Sequence, residues 1–328
     1  MNNILNVINL QIFGSSHSKY IGGVLSGVPS GLYIDFDEIN NAVKSRKGGY
    51  SGTTTRIERD EIIWMTGIVN NKTTGLPIAF SIENKNVKPQ DYSFEITPRP
   101  GHADFTQIKK YSKYSDISGG GQSSGRMTII LVIAGQIARR IIPNIIAKAT
   151  IKEIGGTSDY DDLVEKMQKE GDSLGGIVEC IIQNIPVGLG EPFFDSVESV
   201  LSHILFSIPG VKGVEFGAGF SSAKMKGSEF NDIIIDKEGR TKTNNSGGIN
   251  GGISNGNDII FRVAFRPPAS IQKPVETINL QTGEKTIFQI GGRHDVSYVL
   301  RTPIIIESVA YLAIADFLLR TKKNTIKA

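Results

Sequence analysis

The 328-residue chain holds a single cysteine, Cys180, which excludes an intrachain disulfide and a multi-cysteine metal site. Its surroundings, IVECIIQ, read as a strand, so a buried and inert thiol is expected. Charge of one sign is also lacking. The 36 Lys+Arg face 33 Asp+Glu, and a formal net charge of +3 is too small to gather nucleic acid by its field, so any basic site must be local. No long hydrophobic run is uninterrupted: the longest, TPIIIESVAYLAIADFLL, carries Glu307 and Asp316 and reads as a buried helix, not a membrane span. The first residues, MNNILNVINLQIFG, lack the basic start and long apolar stretch of a signal peptide. These features lead us to expect a soluble, cytoplasmic protein with no membrane partner. HxH, HExxH and Cys/His clusters are missing, which argues against a metal site. No period of 20 to 50 residues marks a repeat architecture, and no Pro/Ser linker separates two domains, although the length alone admits one large domain or two ordinary ones.

Glycine is what the chain has in excess. Its 37 glycines cluster, as GGG at 119–121 and as pairs beginning at 175, 247, 251 and 291, and such clusters let the backbone approach a ligand closely. Spread over the whole chain, they imply a site assembled from many loops. Three helices are predicted between these loops. DSVESVLSHILFS places Val197, Val200, Leu201, Ile204 and Leu205 on one face, with Asp195 as its N-cap and Glu198 three residues later. A second helix starts near Ser124 and runs to Pro143, and a third covers about 304–320. The β-branched runs EIIWMTGIV, GIVECIIQ, DIIFRVAF and KTIFQI read as strands. Strands come in runs and do not alternate strictly with helices, which favours an α+β fold with antiparallel sheets.

Three of the four histidines stand in Gly/Ser/Pro-rich loops: His17 in FGSSHS, His102 in RPGHAD and His294 in GGRHD. Imidazole titrates nearest neutral pH, so two or three of them converging could perform acid and base work. On its own hexapeptide, His102 fits a surface turn at least as simply. His203 lies among the apolar residues of the predicted helix and reads as structural. In SGGGQSSGRMT a triple glycine leads through Ser123, Ser124 and Arg126 into a helix, an arrangement suited to holding phosphate. A plain flexible turn before a helix would read the same way. Its spacing matches neither GxxxxGK[ST] nor GxGxxG. Arg46, Arg99, Arg126, Arg266 and Arg293 all sit beside or near Gly or Pro, where guanidinium groups can grip carboxylates and phosphates, and five of them suggest a polyanionic ligand. A phosphate- or RNA-binding module could use the same arginines, but the aromatic-plus-basic strand pattern of an RNA-stacking surface is missing.

Taken in order, FGSSHS, SRKGGYS, NKTTGLPIAF, RPGHADF, SGGGQSSGR, GDSLGG, VGLGEPFFD, GVKGVEFGAGF, GGINGGISNG and GGRHD resemble the chorismate synthase family over nearly the whole chain. The resemblance implies one α+β domain over residues 1–328, a β-α-β sandwich with helices between antiparallel sheets, assembled as a homotetramer. It implies anti 1,4-elimination of phosphate from 5-enolpyruvylshikimate 3-phosphate, using reduced FMN without net redox change, with NADPH needed only indirectly or through a flavin reductase. His17, His102 and Asp295 are then the catalytic residues. His102 keeps the flavin or departing phosphate correctly protonated, His17 acts near the phosphate, and Asp295 assists proton removal at flavin N5. FMN contacts fall on Gln122, Ser123, Ser124, Pro209, Gly210, Gly251, Arg266, Pro267, Pro268, Ala269, Ser270 and Arg293. The substrate's anionic groups fall to Arg46, Arg99 and Arg126.

The chain departs from the family pattern in several places. Ser15 and Ser18 stand where FGESHG is usual, Gln122 replaces an arginine, Met127 a carboxylate, and Arg266 a lysine. Gly52 occupies a position where arginine is usual, with Arg56 nearby as a substitute, and the stretch 144–170 is short. One lost cation costs about 1–3 kcal/mol of binding, which weakens affinity without abolishing it. The expectation is an active, divergent enzyme; the alternative is a flavin- or phosphate-ligand-binding paralogue without turnover.

Overall fold

A computed structural model describes residues 3–49, 51–53, 59–85, 95–114, 116–290 and 294–324. Two antiparallel sheets form its outer layers. The first contains β1 (Asn3–Ile4), β2 (Asn9–Phe13), β3 (Tyr20–Ser26), β4 (Ile62–Thr66) and β7 (Ile78–Glu83), in the order β1-β2-β3-β7-β4. The second contains β8 (Ile146–Ile154), β9 (Gly176–Gln183), β10 (Val211–Phe216) and β13 (Ile259–Phe265), in the order β10-β13-β9-β8. Three two-stranded hairpins decorate this frame: β5 (Ile68–Val69) with β6 (Lys72–Thr73), β11 (Ile249–Asn250) with β12 (Ile253–Ser254), and β14 (Val275–Ile278) with β15 (Lys285–Phe288).

Side-chain alternation explains which face of each sheet turns inward. In β13, Ile259, Phe261, Val263 and Phe265 are buried while the residues between them are partly exposed. Cys180 of β9 opposes Phe261 and is fully buried. The outer face carries a charged ladder instead: Lys152 reaches Glu179 at 3.2 Å, and Arg262 reaches Glu179 at 2.8 Å and Glu215 at 3.2 Å. In the first sheet Ile21 pairs with Ile82 and Leu25 with Ile78, and all four face the core.

Two helices fill the space between the sheets, α3 (Thr128–Arg139) and α7 (Pro303–Asn324). Every residue from Thr128 to Ala138 is buried, because α3 meets β3 on one side and α7 on the other. A helix enclosed this way has no polar face to keep, which accounts for the run IILVIAGQIA. Two glycines set the separations. A Cβ on Gly23 of β3 would lie 2.7 Å from Ile130 Cγ2, and one on Gly135 would lie 2.4 Å from Ser308 of α7. α7 packs in turn on β8 and β9, and α1 (Phe36–Ser45) and α5 (Val197–Leu205) flank the two central helices. The fully buried Asp316 of α7 accepts hydrogen bonds from the backbone N–H groups of Val7 and Ile8 and from Arg320, tying the first sheet to the last helix.

The expected α+β sandwich is the fold found, with the helices between antiparallel sheets arranged in two layers. All four predicted strand runs form strands, although EIIWMTGIV breaks at Gly67 into β4 and β5, which belong to different sheets, and KTIFQI is extended only over Lys285–Phe288. Three details differ. The N-cap of α5 is Ser196, whose hydroxyl accepts from Ser199 N at 3.1 Å; Asp195 instead ends a 3₁₀ turn and pairs with Arg320. His203 points to solvent from α5 and is no core residue, because it falls between the buried Val200 and Ile204 rows. The helix expected near Ser124 begins as the 3₁₀ turn Gly125–Met127, with Ser124 accepting from Arg126 N, and is α-helical only from Thr128 to Arg139. None of the described helices is long and apolar enough to cross a membrane.

Candidate active site

The loops at one end of the sandwich enclose a cleft of about 440 Å³, onto which the N-terminal ends of both central helices open. Such helix ends present unpaired N–H groups and favour negative charge. Its wall carries Arg46, Lys47, Arg99, Arg126, Arg266 and Arg301, six cations, against the two carboxylates Asp60 and Asp295. A surplus of fixed positive charge in an enclosed cleft selects a polyanion.

His17 comes from the loop between β2 and β3, and His102 from the turn before α2 (Asp104–Tyr111). The triple glycine seats both rings. A Cβ on Gly119 would stand 2.0 Å from His17 Cε1, and one on Gly120 would stand 3.3 Å from His102 Cε1. Both glycines have positive φ, 59° and 96°, so the backbone turns beneath the imidazoles in a way that side-chain-bearing residues resist. Gly121 O accepts from Ser16 N at 3.0 Å, locking the FGSSHS loop to the glycine run.

The RPGHAD motif closes on itself. Asp104, 1% exposed, accepts from Arg99 Nε and Nη2, both at 2.8 Å, and from the Arg99 backbone N–H at 3.1 Å. His102 Nδ1 lies 2.7 Å from Asp104 Oδ1. Burial alone would raise the Asp104 carboxyl; the hydrogen bonds from Arg99 and His102, with their charges, outweigh it and hold the group well below the usual carboxylate range. An ionised carboxylate only accepts, so Nδ1 carries the proton of that bond and Nε2 is left as the edge beside Gly120.

On the opposite wall, Arg126 is fixed by two acceptors. Nη1 donates to Asp60 Oδ1 at 2.5 Å, and Nε and Nη2 both donate to Asn84 Oδ1 at 3.2 Å. Asn84 also donates to Ser18 O, and Lys47 reaches Asp60 at 3.7 Å, so this corner joins four loops. Asp295 pairs with Arg301, six residues later. Tyr298, between them in sequence, stacks edge-on against Phe265 and lays its hydroxyl over Gly210, where a Cβ would be 2.1 Å away. Burial pushes its phenol pKa upward; Arg266 opposes that and Asp295 adds to it.

The cleft therefore brings together His17, His102 and Asp295, the arginines Arg46, Arg99 and Arg126, and Ser123, Ser124, Pro209, Gly210, Arg266, Pro268, Ala269 and Ser270. It also includes His294, which had no assigned role. Gln122 and Pro267 are exposed and outside the lining, although both neighbour lining residues. Gly251 is not brought to this cleft: it forms the tip of the β11–β12 hairpin, whose neighbours are Leu189 and Val197. Arg293 and Arg56 lie outside the described residues. Gly52 does not face the cleft either. With φ +78°, it has Val164 and Leu300 where a side chain would go, at 2.4 and 2.9 Å. Met127 is buried in the core, and Ser15 donates to Asp116 at 2.5 Å. Sequence reading missed Asp60, Asn84, Lys47, Tyr298 and Arg301, and it assigned Asp104 no role. Of these only Lys47, in SRKGGYS, and Asp104, in RPGHADF, sat inside a recognisable motif.

A mixed sandwich with a cationic cleft, two seated imidazoles and a carboxylate defines an enzyme fold class, and the whole architecture aligns with a solved structure described as the crystal structure of chorismate synthase, at a TM-score of 0.76 and 24% identity over 97% of this chain and 93% of the other. The family model for chorismate synthase matches residues 8–319. Curated chorismate synthases from Chitinophaga pinensis and Christiangramia forsetii are 45% and 40% identical, the first aligned over 99% of this chain and 98% of its own length, the second over 99% of both. The chain belongs to the chorismate synthase family and is an enzyme of that family.

Proposed function

We propose that this enzyme converts 5-enolpyruvylshikimate 3-phosphate to chorismate by anti 1,4-elimination of phosphate with reduced FMN, without net redox change. The observation that carries the reading is the convergence of His17, His102 and Asp295 on one cleft whose wall holds six cations. A substrate with one phosphate and two carboxylates needs several guanidinium partners, and a flavin phosphate needs another. The remaining wall suits a flat aromatic ring: Ile208, Pro209, Pro268, Ala269, Ile290 and Ile305 are apolar. The cleft volume falls in the usual range for small-molecule sites.

Reduced FMN supplies, when bound, the electron density that helps a poor leaving group depart. The protein's part is to bind, orient and manage protons. Ser123, Ser124, Pro209, Gly210, Arg266, Pro268, Ala269 and Ser270 would hold the flavin, and Arg46, Arg99 and Arg126 the substrate's anions. His102, its Nδ1 proton held by Asp104, supplies or keeps a proton at Nε2. His17, seated on Gly119, would act beside the departing phosphate, and Asp295 would assist proton removal on the flavin side of the site. The external source of reduced flavin is a separate reductase, with NADPH used only there.

We place the enzyme in the cytoplasm and assign it the homotetrameric state. The apolar side chains Phe193, Phe194 and Phe220, between 82% and 93% exposed, support an assembly that covers them. Light scattering on the purified protein tests the tetramer. Anaerobic turnover of the substrate with chemically reduced FMN tests the reaction. Stoichiometric chorismate and phosphate are expected; binding of both ligands with neither product formed would replace this reading with that of a non-catalytic paralogue.

A further inference from the structure

Arg301 has a position that its own needs do not explain. Its side chain is mostly buried in the cleft wall, and among the described residues Asp295 is the one carboxylate it meets. Its Nε is enclosed without a hydrogen-bond partner. A guanidinium placed for its own satisfaction would not leave a donor buried and unmet, because the donor then loses its water partners without replacement. The surrounding backbone is held firmly. Val296 N donates to Gly52 O at 2.9 Å, Val296 O accepts from Leu174 N at 2.8 Å, and Thr302 N closes the turn on Val299 O at 3.0 Å. Val299, at the centre of that 3₁₀ turn (Tyr298–Arg301), is fully buried. The turn fixes the Arg301 backbone at the head of α7, and the mostly buried side chain reaches Asp295 from that fixed root. The carboxylate it grips is carried by the segment entering the cleft.

We propose that Arg301 is a positioning residue for this enzyme, acting through Asp295 by fixing the orientation of that carboxylate in the cleft wall. The proposal rests on the proton-accepting role given to Asp295 above. A carboxylate that must meet one proton needs a defined direction, and a side chain misplaced by about 1 Å costs on the order of 100-fold in rate. A guanidinium fork supplies that direction; an ammonium supplies charge without the plane.

The test is a double-mutant cycle on the purified full-length enzyme with R301A, D295N and the pair, measuring kcat and KM under anaerobic conditions with chemically reduced FMN. R301A is expected to lower kcat about 100-fold with KM within roughly twofold. R301K should recover part of the rate, as should free guanidinium added to R301A. In the D295N background, R301A should cost nothing further. Additive losses, or a rise in KM with kcat unchanged, would instead place Arg301 on the substrate and overturn the proposal. D295N turning over at the wild-type rate would remove the role of Asp295 itself, and with it the basis of the proposal. Should R301A lose its fold by circular dichroism, R301Q takes its place in the cycle.

Discussion

Nδ1 of His102 lies 2.7 Å from Oδ1 of Asp104, and the same carboxylate accepts three hydrogen bonds from Arg99. One buried acid thus orients an imidazole and neutralises a guanidinium. D104N keeps the shape but withdraws the charge, leaving the Nδ1 proton of His102 without its ionic acceptor and removing the Asp104 charge from the buried Arg99. We expect kcat to fall about 10- to 100-fold, as when the orienting partner of a functional histidine is removed. Steady-state kinetics on folded D104N checks this; wild-type kcat would mean the bond does not orient the ring for chemistry.

The same carboxylate makes a pH prediction. Its folded pKa is depressed, so its stabilisation is fully present above the unfolded value of about 3.9 and drains away as pH falls below it. Wild type should therefore lose stability relative to D104N on acidification below about pH 4, so that the two converge. Chemical denaturation between neutral pH and pH 3 measures the gap; a gap independent of pH would contradict the linkage.

Glu307 runs the opposite way. Burial raises its carboxyl pKa despite the hydrogen bond from Ala149 N and the charges of Arg139 and Lys148. A raised carboxyl favours the folded state below the unfolded pKa and loses that contribution as pH rises through the folded value. E307Q keeps an acceptor for Ala149 without the charge. It should be more stable than wild type at pH 8 and indistinguishable near pH 4. Melting temperatures at the two pH values decide it, and a stability loss in E307Q at pH 8 would show that the ionised form is needed.

The two ring-seating glycines should respond unequally. G119A drives a methyl group into His17, whereas G120A meets His102 at 3.3–3.4 Å, which small adjustments relieve. Each substitution also bears the cost of a left-handed backbone, roughly 1–2 kcal/mol. Turnover should be lost in G119A and largely kept in G120A, with similar thermal stabilities. Equal loss of turnover in both would indicate that backbone strain, not ring displacement, governs the effect.

At the helix crossing, G135A forces a methyl group against the Ser308 backbone, where no flexible side chain can yield. Overpacking of this kind costs about 1–3 kcal/mol. Urea denaturation should show that loss, and an unchanged midpoint would mean that α3 and α7 separate freely.

Local chemistry carries a long way in this chain. Alternating β-branched residues are enough to define GIVECIIQ and DIIFRVAF as strands, because each residue's face depends only on its parity. The continuous apolar run after Thr128 marks a helix enclosed on all sides, whereas RPGHAD and SGGGQSSGR gain meaning only as two of ten segments that occur in a set order. What only the tertiary structure decided is which distant groups meet. Asp60 and Asn84 reach Arg126 from loops 66 and 42 residues away, so no local pattern announces them. Gly52 stands where the family places a site arginine and Gly251 was assigned to the flavin, yet one is pressed into Val164 and Leu300 and the other caps a hairpin away from the cleft. The cap of α5 moved by one residue because Asp195 closes the preceding 3₁₀ turn, whereas Ser196 has the extended backbone that lets its hydroxyl reach Ser199 N. Element type is set by neighbours within a few residues and is written in the chain, whereas the partner of a charge depends on loop closure across the whole sandwich and emerges only when both sheets and the two central helices are packed.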